Sequence, residues 1–123
     1  SFKRMLGGET FVPKIPSVRI IDLAKAMSFN NKIKIIGMRP GEKIHELMCP
    51  NETHDVTFEF KDHFVILPYL QRNKLKKIFI NSIREKSQKV KTDFEYSSDK
   101  NFHFLTIKEI KKYNENFLIK NEY

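Results

Sequence analysis

Two side chains in the middle of the chain, Arg39 and Glu42, have the types and the spacing to hold a phosphorylated sugar. They flank Pro40-Gly41, a turn signal that would open a short helix with free backbone N–H groups. The arginine offers a planar, permanently charged fork of donors for a diphosphate, and the carboxylate can accept hydrogen bonds from ribose hydroxyls. The alternative is that Pro40-Gly41 only joins a strand to a helix and that both charges are solvated, because short motifs often match by chance.

The segments on either side of this turn carry regular patterns. Ile33–Ile36 has the composition of a short, half-buried strand that leads into the turn. The apolar residues after the turn fall at helical spacing: Ile44, Leu47 and Met48. They predict a short helix that Pro50 ends, so we expect the site to lie at a strand-to-helix junction.

The N-terminal quarter has the pattern of an extended segment followed by a helix. Two prolines interrupt the β-prone run Glu9–Pro16, which predicts an edge strand or an extended loop. Its unpaired backbone groups could contact a flat ligand such as a nucleobase, or the run could simply be an edge strand that leads to a helix. From about Ile21 the pattern is helical, with Asp22 in the first turn, where a carboxylate suits the helix dipole. We expect this helix to end within Ser28–Asn31.

The rest of the chain predicts a β-hairpin and a terminal helix. Apolar side chains alternate over residues 56–60, and a second apolar run, Phe64–Leu67, follows across a polar turn. Residues 70–91 fit a helix and an irregular extension equally. Thr106 and Glu109 have the spacing of a capping box, which predicts that a helix begins there.

Length and composition bound the class of protein. A chain of 123 residues, 40% hydrophobic and with 11 Phe, has the size and content of one folded domain. No apolar run is long enough to predict a membrane span. The single cysteine, Cys49, cannot form an internal disulfide, which fits a reducing compartment and hence a cytoplasmic location. The first residues resemble neither a signal peptide nor a transit peptide, and we expect the chain to be part of a longer protein.

The net charge of +8 arises mainly in one stretch. Residues 72–91 carry eight basic side chains against one acidic side chain. Such a patch is typical of nucleic-acid binding. We rank this function last, because a chain rich in Lys, Asn and Ile carries lysine on its surface without a binding role.

Side chains that could catalyse a reaction are scattered. The four histidines fall on different predicted elements: His45, His54, His63 and His103. They do not form a Cys/His cluster at zinc spacing, so we expect no metal site. Asp62 and His63 could pair as an orienting acid and a base, but sequence neighbours rarely face one another, so we expect both to be surface groups. The four glycines form no dinucleotide-binding loop. The residues therefore predict a ligand-positioning surface without catalytic machinery.

Six motifs follow one another along the chain: Gly7–Ser17, Asp22-Leu23-Ala24, Ile35–Glu46, Thr57–Phe60, Gln88–Lys91 and Tyr96–Asn101. In this order and spacing they resemble the C-terminal third of UDP-N-acetylglucosamine 4,6-dehydratases, which are extended short-chain dehydrogenase/reductases of surface-sugar biosynthesis. The later motifs are more similar to the inverting branch, which makes the first intermediate of pseudaminic acid, than to the retaining branch of capsule biosynthesis. Residues 70–80 follow the family poorly.

The resemblance implies an α/β fold in which residues 1–123 form one substrate-binding region, preceded in the complete enzyme by a Rossmann domain that binds NADP. Arg39 matches the family arginine that contacts the diphosphate of UDP-N-acetylglucosamine, and Glu42 matches the acidic residue that holds the ribose. Lys14 lies in the segment that matches the one beside the nucleotide.

The resemblance also implies where the chemistry resides. The family's NADP loop, its Tyr-x-x-x-Lys pair and its catalytic carboxylate would all precede Ser1. We therefore expect the chain alone to bind no cofactor and to be inactive, and the complete enzyme to be a homo-oligomer. A retaining dehydratase and a non-catalytic binding module remain the alternatives.

Overall fold

The computed structural model of the protein describes residues 2–27, 32–70 and 79–120, with side chains up to residue 116. Its helices are α1 (Ile20–Met27) and α2 (Ile107–Lys120), with 3-10 turns at Phe2–Arg4 and Asn51–Val56. Its strands are β1 (Thr10–Pro13), β2 (Leu47–Cys49), β3 (Thr57–Glu59), β4 (His63–Ile66), β5 (Gln88–Lys89) and β6 (Tyr96–Ser97). This confirms a mixed α/β fold of short elements. Within these residues no helix has both the length and the apolar character needed to cross a membrane.

The residues group into two compact units whose segments alternate along the sequence. The first unit comprises Ser1–Lys14 and His45–Lys100, and the second comprises Ile15–Ile44 and Asn101–Tyr123. Neither unit is therefore one continuous piece of chain. That residues 1–123 act as one substrate-binding region stays a prediction.

A four-stranded antiparallel sheet forms the framework of the first unit, in the order β1-β4-β3-β5. Strand β1 lies at one edge, with Phe11 opposite Val65. The edge position suits Pro13, because proline has no N–H to donate to a further strand. The prediction of an edge strand over Glu9–Pro16 is thus confirmed for Thr10–Pro13.

The predicted hairpin is confirmed, and it carries the core of the first unit. Strands β3 and β4 pair antiparallel, and the N–H of Phe60 donates to the carbonyl of His63 across the turn at 2.9 Å. Phe58 and Val65 lie opposite one another and are fully buried. Burial of aromatic and β-branched side chains at the centre of this sheet is the main hydrophobic contribution to the fold of the unit.

The prediction of a helix after the Pro-Gly turn is wrong. Leu47–Cys49 is a strand that pairs with Tyr96–Ser97 in a second, two-stranded sheet, and Cys49 is fully buried there. Ile44, the first residue of the expected apolar face, is exposed. Pairing with a segment almost fifty residues away decided this structure, and local periodicity carries no information about such a partner.

Two helices pack together in the second unit. Helix α1 has Asp22 in its first turn, as predicted, and contacts α2. At the start of α2, the N–H of Glu109 donates to Oγ1 of Thr106 at 3.3 Å, and the N–H of Thr106 donates to Glu109 Oε2 at 2.8 Å. The capping box is therefore confirmed. The predicted end of α1 in Ser28–Asn31 lies outside the described residues.

Two further predictions concern segments without regular structure. Ile33–Ile36 is not a strand in the structure and lies in an irregular, exposed segment. Of residues 70–91, positions 71–78 lie outside the described residues. Residues 79–91 contain the short strand β5, an isolated bridge between Ile80 and Lys86, and otherwise irregular backbone. For this described part the irregular extension, rather than the helix, is confirmed.

Candidate functional site

The Pro-Gly signal forms a tight turn in the second unit. The N–H of Glu42 donates to the carbonyl of Arg39 at 3.1 Å, and Pro40 and Gly41 occupy the two central positions. Gly41 has φ of +85°. Proline at the first central position and a positive φ at the second are typical of a type II turn. A residue other than glycine at this second central position would be strained. The turn between the two candidate ligand-binding side chains is thus set by the sequence itself.

The turn brings Arg39 and Glu42 together. Oε2 of Glu42 accepts a hydrogen bond from the backbone N–H of Arg39 at 2.8 Å, and Oε1 lies 3.8 Å from Arg39 Nε. The two side chains are 72% and 50% exposed. Among the described residues, none accepts a hydrogen bond from Nη1 or Nη2 of Arg39. The end of the guanidinium is therefore available to an anion, while Glu42 holds the turn that presents it.

The prediction that the N-terminus of a helix contributes to this site is wrong. Residues 42–46 are irregular, and the next element is strand β2. Any attraction for phosphate at this turn therefore comes from the arginine side chain and not from a helix dipole. The nearby carboxylate partly neutralises the arginine, so a diphosphate has to compete with Glu42 for the guanidinium.

Lys14, the third candidate ligand-binding residue, belongs to the first unit and has protein partners. Its Nζ donates to Oε1 of Glu59 and to the carbonyl of Phe60, both at 2.7 Å, and lies 4.8 Å from the ring centroid of Phe64. These contacts hold the end of β1 against the hairpin. A contact between the Lys14 side chain and a nucleotide stays a prediction, and it requires these partners to share the ammonium group.

The expectation that His63 is a surface group is wrong. His63 is 5% exposed, and its ring stacks with the rings of Phe11 and Phe60 at centroid distances of 5.4 and 4.6 Å. Its Nδ1 lies 2.6 Å from Oδ1 of Asp62. Asp62 occupies the bend before β4 and not the strand itself, so its side chain can turn back to the ring. The hydrogen bond with His63 is the main reason that the pKa of Asp62 is lowered.

Arg4, which the sequence did not single out, connects this pair to a distant segment. Its Nη1 donates to Oδ2 of Asp62 at 3.3 Å, and its Nε and Nη2 donate to the two carboxylate oxygens of Glu85 at 2.9 and 3.3 Å. A pocket of about 270 Å³ lies beside these groups, lined by Arg4, Phe11, Pro13, Asp62 and His63. The charges in this network are paired with one another, and the hydrogen bond with Glu85 is the main cause of a raised Arg4 pKa. Partners 58 and 81 positions away leave no local pattern by which they could be predicted.

The remaining reactive groups offer little chemistry. Burial raises the pKa of the Cys49 thiol to about 11, so the thiolate needed of a nucleophile is scarce at neutral pH. Across residues 2–27, 32–70 and 79–116, no three His, Cys, Asp or Glu side chains gather as metal ligands would. Among the described residues, the Arg39–Glu42 turn is the candidate for binding an external ligand.

Known proteins resemble this chain in both sequence and structure. The model of the family described as polysaccharide biosynthesis protein matches residues 1–68. A UDP-N-acetylglucosamine 4,6-dehydratase (inverting) of Campylobacter jejuni is 46% identical over 111 residues, which cover 89% of this chain and 33% of that enzyme. A protein of Methanocaldococcus jannaschii described as an uncharacterized membrane protein is 39% identical over 73% of this chain and 32% of its own length.

A solved structure extends the similarity to the fold. Pen from Bacillus thuringiensis superimposes with a TM-score of 0.72 at 28% identity, covering 96% of this chain and 34% of that one. The chain thus spans about a third of the length of the relatives it matches.

Proposed function

The chain belongs to the polysaccharide biosynthesis protein family, and we propose that it binds the uridine diphosphate end of UDP-N-acetylglucosamine within an inverting 4,6-dehydratase. Arg39 binds the diphosphate and Glu42 the ribose. The observation that carries this proposal is 46% identity to a Campylobacter jejuni enzyme that is named for this substrate and this reaction. Because the chain spans a third of that enzyme, the reaction is assigned to the complete protein.

The geometry of the turn supports this division of roles. A guanidinium has five N–H donors, and the exposed Arg39 side chain can form a bidentate contact with phosphate oxygens. A carboxylate can accept about four hydrogen bonds. Glu42 receives one from the Arg39 backbone, which leaves lone pairs for ribose hydroxyls next to the diphosphate. Both contacts can therefore form without breaking the turn.

NADP is the cofactor that the family resemblance implies, and the described residues do not fit it. Dinucleotides bind at a glycine-rich loop that follows a strand of a parallel βαβ unit. Here both described sheets are antiparallel, and Gly7, Gly8, Gly37 and Gly41 form no such loop. As the family resemblance implies, we propose that the NADP site, the catalytic residues and the lyase activity lie in the part of the complete enzyme that this chain does not contain, and we expect this chain alone to be inactive.

Ligand titration tests the proposal directly. Isothermal calorimetry would compare UDP, ADP and uridine on a chimeric enzyme, defined as the C. jejuni relative with its matching third replaced by this chain. We expect uridine to bind at least about tenfold more weakly than UDP, since it lacks the groups that Arg39 contacts. ADP retains the diphosphate and shows how much affinity comes from the base. Equal affinities for UDP and uridine would exclude a diphosphate contact at Arg39.

The inverting assignment has its own measurement. In the complete enzyme that carries this chain, NMR of the product reads the configuration at C5 of the sugar. Inversion at C5 is expected, because the C. jejuni relative is described as inverting, and such a product would be an intermediate on the way to pseudaminic acid in the cytoplasm. Retention at C5 would instead assign the enzyme to capsule or O-antigen biosynthesis.

A further inference from the structure

The second unit exposes an unusual set of large aliphatic side chains. Six of them are each at least 60% exposed: Ile20, Met27, Ile35, Ile36, Met38 and Ile44. Three of the six lie in one short segment, Ile33–Met38, which ends immediately before Arg39. Contiguous exposed apolar surface in a protein usually marks an interaction site.

Among the described residues, the backbone of Ile33–Met38 has no hydrogen-bond partner, and its large apolar side chains are exposed. In the part of the chain that the structure describes, no main-chain hydrogen bond involves these residues, and they belong to no strand. Yet the segment is rich in isoleucine, which favours strands. In an extended conformation Ile33 and Ile35 would face one side, and Ile36 and Met38 the other. Apolar residues on both sides are typical of a strand that is covered on both faces.

The occupant we infer is the region of about two thirds of the protein that the relatives carry and this chain does not contain. We propose that Ile33–Met38 docks on that region by pairing with a sheet edge and burying its apolar side chains. The inference rests on the proposed function, because it names the partner that completes the same site. The segment lies within the part matched by the family model, so the surface belongs to the family framework and not to an unrelated addition.

Docking has a consequence for the ligand site. Met38 directly precedes Arg39, whose backbone N–H and carbonyl both bond to Glu42. Fixing the segment therefore fixes the entry to the turn and the direction of the guanidinium. A preorganised arginine loses less conformational entropy when it binds a diphosphate. We infer that UDP binds more tightly once the segment is docked than to the chain alone.

Hydrogen exchange tests the docking without any substitution. In this chain alone, the amides of residues 33–38 should exchange near the rate of an unfolded peptide, because no described residue accepts a hydrogen bond from them. In the intact C. jejuni relative, the aligned segment should exchange roughly a hundredfold more slowly or slower still, since paired amides exchange only on opening. Rapid exchange of that segment in the intact relative would overturn the inference.

A substitution in the chimeric enzyme tests the same surface. Ile35→Asp should leave the melting temperature of this chain alone unchanged, because the side chain is already in water. In the chimeric enzyme it should lower the melting temperature by several degrees, as an uncompensated charge enters an apolar interface. Leu70→Asp, at a leucine that is 98% exposed in the first unit, is the matched control and should change neither. Equal effects of the two substitutions would exclude docking at Ile35.

The two hypotheses fail differently. If the segment is protected but UDP does not bind the chimeric enzyme, the docking surface stands and the proposed function fails. If UDP binds equally to the chain and to the chimeric enzyme, and the aligned segment stays unprotected, the function stands and docking fails. Protection in this chain alone that appears only at high concentration, with dimers in sedimentation, would assign the surface to a second copy and overturn the proposal.

Discussion

Replacing Arg39 by alanine in the chimeric enzyme should separate ligand binding from stability. The side chain is 72% exposed and its Nε lies 3.8 Å from Glu42. An ion pair at that exposure contributes less than about 0.5 kcal/mol, so the free energy of unfolding should hardly change. The turn should also persist, because the bond to Oε2 of Glu42 comes from the backbone N–H of residue 39, which alanine retains.

The expected effect on UDP affinity is much larger. A bidentate, charge-assisted contact with a diphosphate loses roughly 2 to 4 kcal/mol when the arginine is truncated, which corresponds to about 30- to 1000-fold in the dissociation constant. Calorimetry with UDP gives this ratio, and the Michaelis constant for UDP-N-acetylglucosamine gives an independent value. Lys25→Ala removes a charge of the same sign from an exposed position of α1, and it should change the affinity by only a few-fold.

Two results would refute the reasoning. An unchanged Michaelis constant and an unchanged dissociation constant for the Arg39→Ala enzyme would remove Arg39 from the site. A loss of affinity that is matched by an equal loss of stability would show that the arginine acts on the fold and not on the ligand. Combining Arg39→Ala with Glu42→Gln in a double-mutant cycle then measures whether the two side chains bind the nucleotide independently.

Three further predictions concern the framework. Phe58→Ala should destabilise the protein by about 3 to 5 kcal/mol in urea unfolding, because the ring is fully buried, whereas Phe102→Ala, at a phenylalanine 92% exposed, should cost less than about 0.5 kcal/mol. At about pH 8 the native Cys49 thiol, with a pKa of about 11, should react with a disulfide reagent roughly two hundredfold more slowly than in urea, and comparable rates would contradict its burial. Since the pKa of Asp62 is lowered in the fold, the stability it contributes is present above about pH 4 and is lost as the pH falls through the folded value. The difference in melting temperature between wild type and Asp62→Asn should therefore shrink on acidification, and a constant difference would exclude this linkage.

Local signals in the sequence predicted those parts of the fold that local physics determines. The capping box at Thr106, the Pro-Gly turn after Arg39 and the hairpin around residues 56–67 each depend on neighbours a few positions apart. Proline within Thr10–Pro13 likewise restricted that strand to an edge, whatever its partner.

Two of the failures share a physical cause, which is contact between residues that are far apart in the sequence. Ile44, Leu47 and Met48 fall at helical spacing, but Leu47–Cys49 is a strand because Tyr96–Ser97 supplies its hydrogen bonds. His63 appeared exposed because its burial depends on Phe11, about fifty positions earlier. At the candidate site, the proximity of Arg39 and Glu42 follows from their spacing of three residues. The partners of Lys14, which are Glu59 and the Phe60 carbonyl, lie too far away in the sequence for a local pattern to predict them.

The alternation of the two units along the sequence affects how the protein can be divided. A cut after Lys14 divides the first unit, a cut after Lys100 divides the second, and a cut after Ile44 divides both. Truncation at Lys100, for example, removes α2 and so exposes the side of α1 that it contacts. Separate production of the units therefore requires rearranged genes that join 1–14 to 45–100 and 15–44 to 101–123 through new linkers. Natural recombination at a single crossover within residues 15–100 would likewise separate the two segments of at least one unit.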